Sequence, residues 1–247
     1  MPLDAKTLRD FYRTPLGRVV RRQLATAIRE RWKRVNGMTV AGVGFASPFL
    51  GAFHTEAASL ACLMPARQGA IVWPRSGHCH SVLVAENQWP LPDNSVDRLL
   101  AVHCLEQAER EGPLLREVWR VLKPDGRLLI VVPNRRGLWS RMDRTPFGHG
   151  LPFSRGQLET QLTDALFTPV DWDEALYFPP VNQRLLLRMA TPIERFGSSM
   201  SIGVAGVILV EAKKEVMAPI GSGKRVAQPA ILKPVDTRNS AGIRPFR

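Results

Sequence analysis

Cysteine is scarce and odd in number. Cys62, Cys79 and Cys104 are the only three, too few for the disulfide framework of a small secreted protein. Long apolar runs are missing too: the longest clean one, Ile202–Val210, spans nine residues, against the roughly 20 that a membrane-crossing helix needs. The opening MPLDAKTLRDFYR mixes acids and bases around no apolar centre, unlike a secretory leader, so the expected location is cytoplasmic. Hydrophobic residues at 45% and charged residues at 23% exclude a wholly disordered chain.

What the chain has in excess is positive charge, +12 over 247 residues, and it sits at the ends. Residues 1–36 hold ten Lys and Arg against three Asp and Glu, residues 213–247 hold eight against two, and the body between is close to neutral. An anionic partner is therefore met by the ends. These basic ends support an RNA- or ribosome-binding reading, though aromatic stacking residues are sparse there and no known RNA motif occurs.

Periodicity predicts an α/β chain. Leu16, Val20, Leu24, Ile28 and Val35 recur at helical spacing over residues 14–35, closed by Asn36-Gly37. Apolar runs at 38–44, 58–64, 81–86, 96–103 and 127–133 read as strands, the last of them central. Residues 111–122 and 154–167 read as helices, the second opened by the capping box Ser154–Gln157. Lys123–Gly126 reads as a tight turn with Gly126 at positive φ. An edge strand is expected at 167–178, a short helix at 181–196 and a last strand at 201–212. Alternating strands and helices predict a doubly wound, mostly parallel sheet. The domain is placed at 37–212, with a basic helical extension at 1–36 and a disordered tail at 213–247.

The segment WPLPDNSVDRLLAVHCLEQAEREGPLLREVWRVLKPDGRLLIVVPN, residues 89–134, resembles the second half of class I S-adenosylmethionine-dependent methyltransferases of the small-molecule, type 11 kind. Asp97, Leu105-Glu106, Arg120–Pro124 and Gly126 carry the match, and residues 149–167 resemble that family's helix after the fifth strand. The resemblance implies a Rossmann-like fold, S-adenosyl-L-methionine as cofactor and methyl transfer to a small-molecule acceptor. It also implies a cofactor turn at Gly42, Gly44 and Ala46, with Met64 at the end of the second strand and Glu86 and His103 beside the cofactor.

Three family acids are absent. Val40, Met64 and Ala85 stand where acids would bind the turn, the ribose and the adenine side, and each lost charged acceptor costs on the order of 1.5–3 kcal/mol. Glu86 is the candidate replacement on the adenine side, and Glu56 or His54 on the ribose. These losses also support a second reading, a degenerate member of the fold serving as scaffold or regulator.

His103 and His149 are expected on the pocket rim as candidate bases, against the plain alternative of hydrogen-bonded loop histidines. Methyl transfer from a sulfonium can proceed by positioning alone. His78-Cys79-His80 lacks metal-ligand spacing, so no metal is expected. Arg135, Arg136, Arg141 and Arg144 sit where acceptors dock in this fold and point to an anionic substrate, or else to a solvated loop. Gly221–Lys224 lacks the spacing of a phosphate loop. Phe11, Tyr12 and the Thr14–Gly17 turn are expected to fold over the pocket, which makes Tyr12 a substrate-contacting candidate. The alternative use of the basic amphipathic helix is weak contact with a membrane surface.

Overall fold

The computed structural model describes residues 3–181, 183, 189–190, 192–194 and 205–215, and Met1–Val216 form one compact unit. Seven strands make one sheet in the order β3-β2-β1-β4-β5-β7-β6. They are β1 (Thr39–Gly44), β2 (Ser59–Pro65), β3 (Ser81–Val84), β4 (Val96–Val102), β5 (Leu122–Pro133), β6 (Phe167–Ala175) and β7 (Val207–Lys214). The first five run parallel; β7 inserts antiparallel between β5 and the edge strand β6. Strand order reverses between β1 and β4, and ligands in such sheets bind outside the carboxyl ends at that point.

Each face of the sheet has its own core. Helices α1 (Ala5–Arg13), α2 (Pro15–Arg31) and α3 (Ser47–Leu50) cover one face, and α4 (Glu111–Val121) and α5 (Arg155–Asp164) cover the other. The helix that periodicity predicts over 14–35 is α2, capped at Thr14 and ending at Arg31, and a further helix, α1, precedes it. The Thr14 N–H closes α1 on the Phe11 carbonyl, and its hydroxyl accepts from the Gly17 N–H to open α2. The stripe Leu16, Val20, Leu24 and Ile28 is buried, which corrects the membrane-surface reading: the fold already covers the face that lipid would take. At its far end α2 is tied to the last strand, where Trp32 Nε1 donates to Glu211 Oε1 (3.1 Å).

The family-like residues of 89–134 turn out to be ties within this frame. Arg120 of α4 donates to the carbonyls of Trp89 and Leu91 and grips Glu117 through two nitrogens (2.6 and 2.9 Å), fixing the Pro-rich loop against the helix. The same guanidinium holds the Glu117 carboxyl below the usual range. Asp97 accepts from the Thr39 N–H (2.9 Å) and Lys123 Nζ (2.8 Å), joining the entrance of β1 to β4 and β5.

Three expectations are corrected here. Residues 123–126 form a bulge between β4 and β5, where pairing jumps from Val96–Leu122 to Arg98–Arg127, and Asp125 rather than Gly126 takes the positive φ (63°). The last strand is seen from Val207 and reaches Lys214, two residues past the expected boundary, because Lys213 and Lys214 stay paired with Thr168 and Phe167 of β6. Leu166 leaves α5 at φ 62°, so that helix stops at Asp164. The capping box at Ser154 and Gln157 is present. Most of the helix expected at 181–196 and the tail beyond 215 lie outside the described residues.

Candidate functional site

The site is built where β1 and β4 part. Gly44 ends β1 at φ 77°, and a Cβ there would sit 2.4 Å from the Val102 carbonyl oxygen, so the position demands glycine. The Phe45 N–H donates to that same oxygen (2.7 Å). Gly42 is close-packed as well, since its Cβ would meet Ala46 and Leu50. Gly42, Gly44 and Ala46 therefore bring β1, its turn and α3 together.

His103 follows β4 in a left-handed conformation (φ 49°), which histidine adopts more readily than most residues. Its ring is 1% exposed, not on the rim where the sequence suggests it. Nε2 lies 2.8 Å from Tyr12 Oη and Nδ1 lies 3.2 Å from Glu106 Oε1. Burial, and then the Glu106 charge, push the Tyr12 phenol well above its ordinary range, so the phenol keeps its proton. We assign Tyr12 O–H as donor to Nε2 and Nδ1–H as donor to Glu106. Both ring nitrogens are then occupied, and His103 has none left for an acceptor.

The N-terminal segment roofs this point. The Leu3 N–H donates to Gln107 Oε1, and the Ala5 N–H to the Gln68 carbonyl. Tyr12 stacks on Phe45 (5.8 Å, 10°) and meets Phe49 edge-on, and Phe11 packs edge-on against Phe147. Phe11 and Tyr12 thus lie over the carboxyl ends. Gln68 donates through Nε2 to the His103 carbonyl (2.8 Å). Beneath the roof, two buried acceptors, Gln68 Oε1 and Glu106 Oε2, have no partner among the described residues; such atoms are costly in a dry interior.

A cavity of about 440 Å³ is lined by Ala66, Arg67, Ala85, Glu86, Pro113 and Leu114. It lies at the carboxyl ends of β2 and β3. The Glu86 carboxylate faces it, accepts from the Glu109 N–H (3.1 Å) and stands 4.0 Å from Arg67. Met64 is fully buried and takes the Ile71 N–H on its sulfur, so it lines neither this cavity nor the crevice. Glu56 is taken by Arg29 of α2, and His54 packs on His80. Both precede β2, at the opposite end of the sheet from the crevice.

Arg135, Arg136 and Arg141 are exposed on the 134–153 loop, and Arg135 donates to the Pro152 carbonyl. They line neither this cavity nor the larger one beside α3. His149 lies in that loop, 2.8 Å from the Asp143 carbonyl. Sequence reasoning did not find Gln68, whose only signal is a polar residue just past a buried strand. It also did not find α1, signalled by Asp4 capping Thr7 ahead of Leu8 and Tyr12. Among the described residues no group of three or more His, Cys, Asp or Glu is placed to hold a metal, and no helix is long and apolar enough to cross a membrane.

The fold is Rossmann-like, of the kind found in methyltransferases, and comparison with known proteins bears on the family. Residues 57–130 match the family described as a methyltransferase domain. A stretch of 55 residues is 38% identical to the ubiquinone/menaquinone biosynthesis C-methyltransferase UbiE of Vibrio cholerae, covering 22% of this chain and 21% of that one. The chain thus spans about a fifth of the length of the curated relatives it matches. Among solved structures, a Thermotoga maritima protein described as a SAM-dependent methyltransferase, possible histamine N-methyltransferase, superposes with TM-score 0.59. It is 15% identical, over 84% of this chain and 93% of that one. A SAM-dependent methyltransferase from Archaeoglobus fulgidus gives 0.56 at 18% identity, over 78% and 94%. The family resemblance carried by residues 89–134 is supported by these matches, and S-adenosylmethionine is the cofactor of such proteins.

The residues present fit that cofactor. An acid faces a cavity with room for a purine, and two unpartnered buried acceptors stand by the glycine turn where hydroxyl or ammonium groups of a ligand would satisfy them.

Proposed function

We propose that the protein is an S-adenosylmethionine-dependent methyltransferase acting on a small-molecule acceptor. The observation that carries this reading is the pair of buried, unpartnered acceptors, Gln68 Oε1 and Glu106 Oε2, at the point where β1 and β4 part. Glu86 would hold the adenosine end, and Gln68 and Glu106 the polar groups further in, replacing the absent acids at 64 and 85. The bound cofactor supplies an electrophilic methyl group on a sulfonium. The chain's part is to bind, orient and exclude water: Tyr12, Phe45 and Leu8 form an apolar, buried roof, and His103 fixes the roof to β4 rather than moving protons. Positioning of this kind supplies a large share of the rate of such transfers.

Calorimetric titration with S-adenosylmethionine and S-adenosylhomocysteine tests the reading. Binding is expected, and Glu86→Gln and Glu106→Gln are each expected to weaken it by about tenfold or more, the cost of a lost bond to a charged group. No heat at millimolar ligand overturns it and leaves the second reading, a non-catalytic scaffold. Val40, Met64 and Ala85, together with the roof over the crevice, favour that second reading.

A further inference from the structure

The largest cavity among those described, about 980 Å³, flanks α3 and is lined by Tyr12 and Phe45 but not by His103. Four arginines line it from three separate segments: Arg9 and Arg13 of α1, Arg21 of α2, and Arg75 from the connection between β2 and β3. No Asp or Glu lines it. Asp10 pairs with Arg9 (3.1 Å) and Arg13 (3.8 Å). Arg21 and Arg75 have no hydrogen-bond or ion-pair partner among the described residues, so two guanidiniums with free donors face an opening whose floor is Phe45, Ile71 and Trp73.

That lining selects a charge type. S-adenosylmethionine carries one more positive than negative charge, and the net positive charge of this lining, four guanidiniums against the one Asp10 carboxylate behind two of them, disfavours it. A carboxylate or phosphate, by contrast, accepts from guanidinium forks in charge-assisted, often bidentate bonds. The aromatic and aliphatic floor favours burial of a flat apolar body. We infer that this cavity is a binding site for an organic anion, a carboxylate or phosphate attached to a planar apolar group, and that it is distinct from the cofactor crevice. The arginines that matter are Arg21 and Arg75, not those of the 134–153 loop.

The test is calorimetric titration of the full chain with 2-naphthyl phosphate and with uncharged 2-naphthol. Saturable binding of the phosphate is expected, with naphthol at least about tenfold weaker. The double variant Arg21→Ala/Arg75→Ala is expected to lose roughly tenfold or more in phosphate affinity, and Arg135→Ala/Arg136→Ala to lose none. All four positions are exposed, so unchanged melting temperatures confirm that folding is not the cause. Equal affinity for naphthol, equal loss in the loop variant, or displacement of the phosphate by S-adenosylhomocysteine overturns the inference. The methyl-transfer reading fails separately: if the cofactor gives no heat while naphthyl phosphate binds, the anion site stands alone.

Discussion

Replacing Tyr12 by Phe removes one oxygen and nothing else from the roof of the crevice. Tyr12 is 5% exposed, and its phenol is the partner of His103 Nε2 at 2.8 Å. The variant leaves that buried ring nitrogen without a bond, a loss of about 1–3 kcal/mol. In a unit of this size each kcal/mol moves the melting temperature by roughly 2–4 °C, so a fall of several degrees is expected at pH 8. The variant also carries a pH signature. The folded chain holds the phenol proton to higher pH than the unfolded chain does, since burial and Glu106 raise it. Stability from this source is complete below about pH 10, the ordinary tyrosine value, and is lost as pH climbs past it toward the folded value. Cys62, pushed up to about 12, and Cys104, also raised by burial, act in the same direction from about pH 9, in parent and variant alike. Urea unfolding at pH 8 and pH 10.5 should therefore show the parent losing more stability than Tyr12→Phe between the two. Equal urea midpoints for parent and variant at pH 8, or equal alkaline losses, would refute the Tyr12–His103 tie.

Two further outcomes follow from the same geometry. Gly44→Ala forces a Cβ to within 2.4 Å of the Val102 carbonyl oxygen in a left-handed backbone, at a cost of about 2 kcal/mol or more; a urea midpoint equal to the parent's would contradict the site description. Cys79 is exposed, and hydrogen bonds with Ser81 lower its thiol, while Cys62 and Cys104 are buried with theirs raised. A disulfide reagent at pH 8 should therefore titrate one thiol quickly in the folded chain and all three in denaturant, and a second fast thiol would show that one of these cores opens.

The parallel strands were legible as short apolar runs, and β1 to β4 begin within a residue of where the runs do, even at the edge strand β3, where Val82 and Leu83 are exposed. The N-terminus was harder. Residues 5–13 bury only Ala5, Leu8 and Tyr12, too few apolar positions to stand out as a helix, whereas the start of α2 at Thr14 coincides with the expected one. The chemical meaning of the 89–134 block was legible only as resemblance: Asp97, Arg120 and Lys123 prove to be braces of the sheet and loop, not contacts in the crevice. Arginine clustering in the sequence drew attention to 135–144. The cavity's own arginines come from positions 9, 13, 21 and 75, which no local pattern joins, because only the approach of α1, α2 and the β2–β3 connection brings them together. Likewise His103 looks like a strand-end histidine on a rim until a helix 91 residues earlier is laid over it.

The bond from Trp32 to Glu211, across 179 positions, bears on synthesis. Helices α1 and α2 leave the ribosome before any of the strands they pack against, and their stripe of Leu8, Leu16, Val20, Leu24 and Ile28 belongs to a core that includes Val207 and Leu209. Until β7 emerges, that stripe has no complete cover. Such late-satisfied apolar surface in a nascent chain is what holdase chaperones bind and what drives off-pathway association. The basic residues interspersed along α2, Arg18, Arg21, Arg22 and Arg29, then act before folding is finished, keeping the waiting helices apart by like charge.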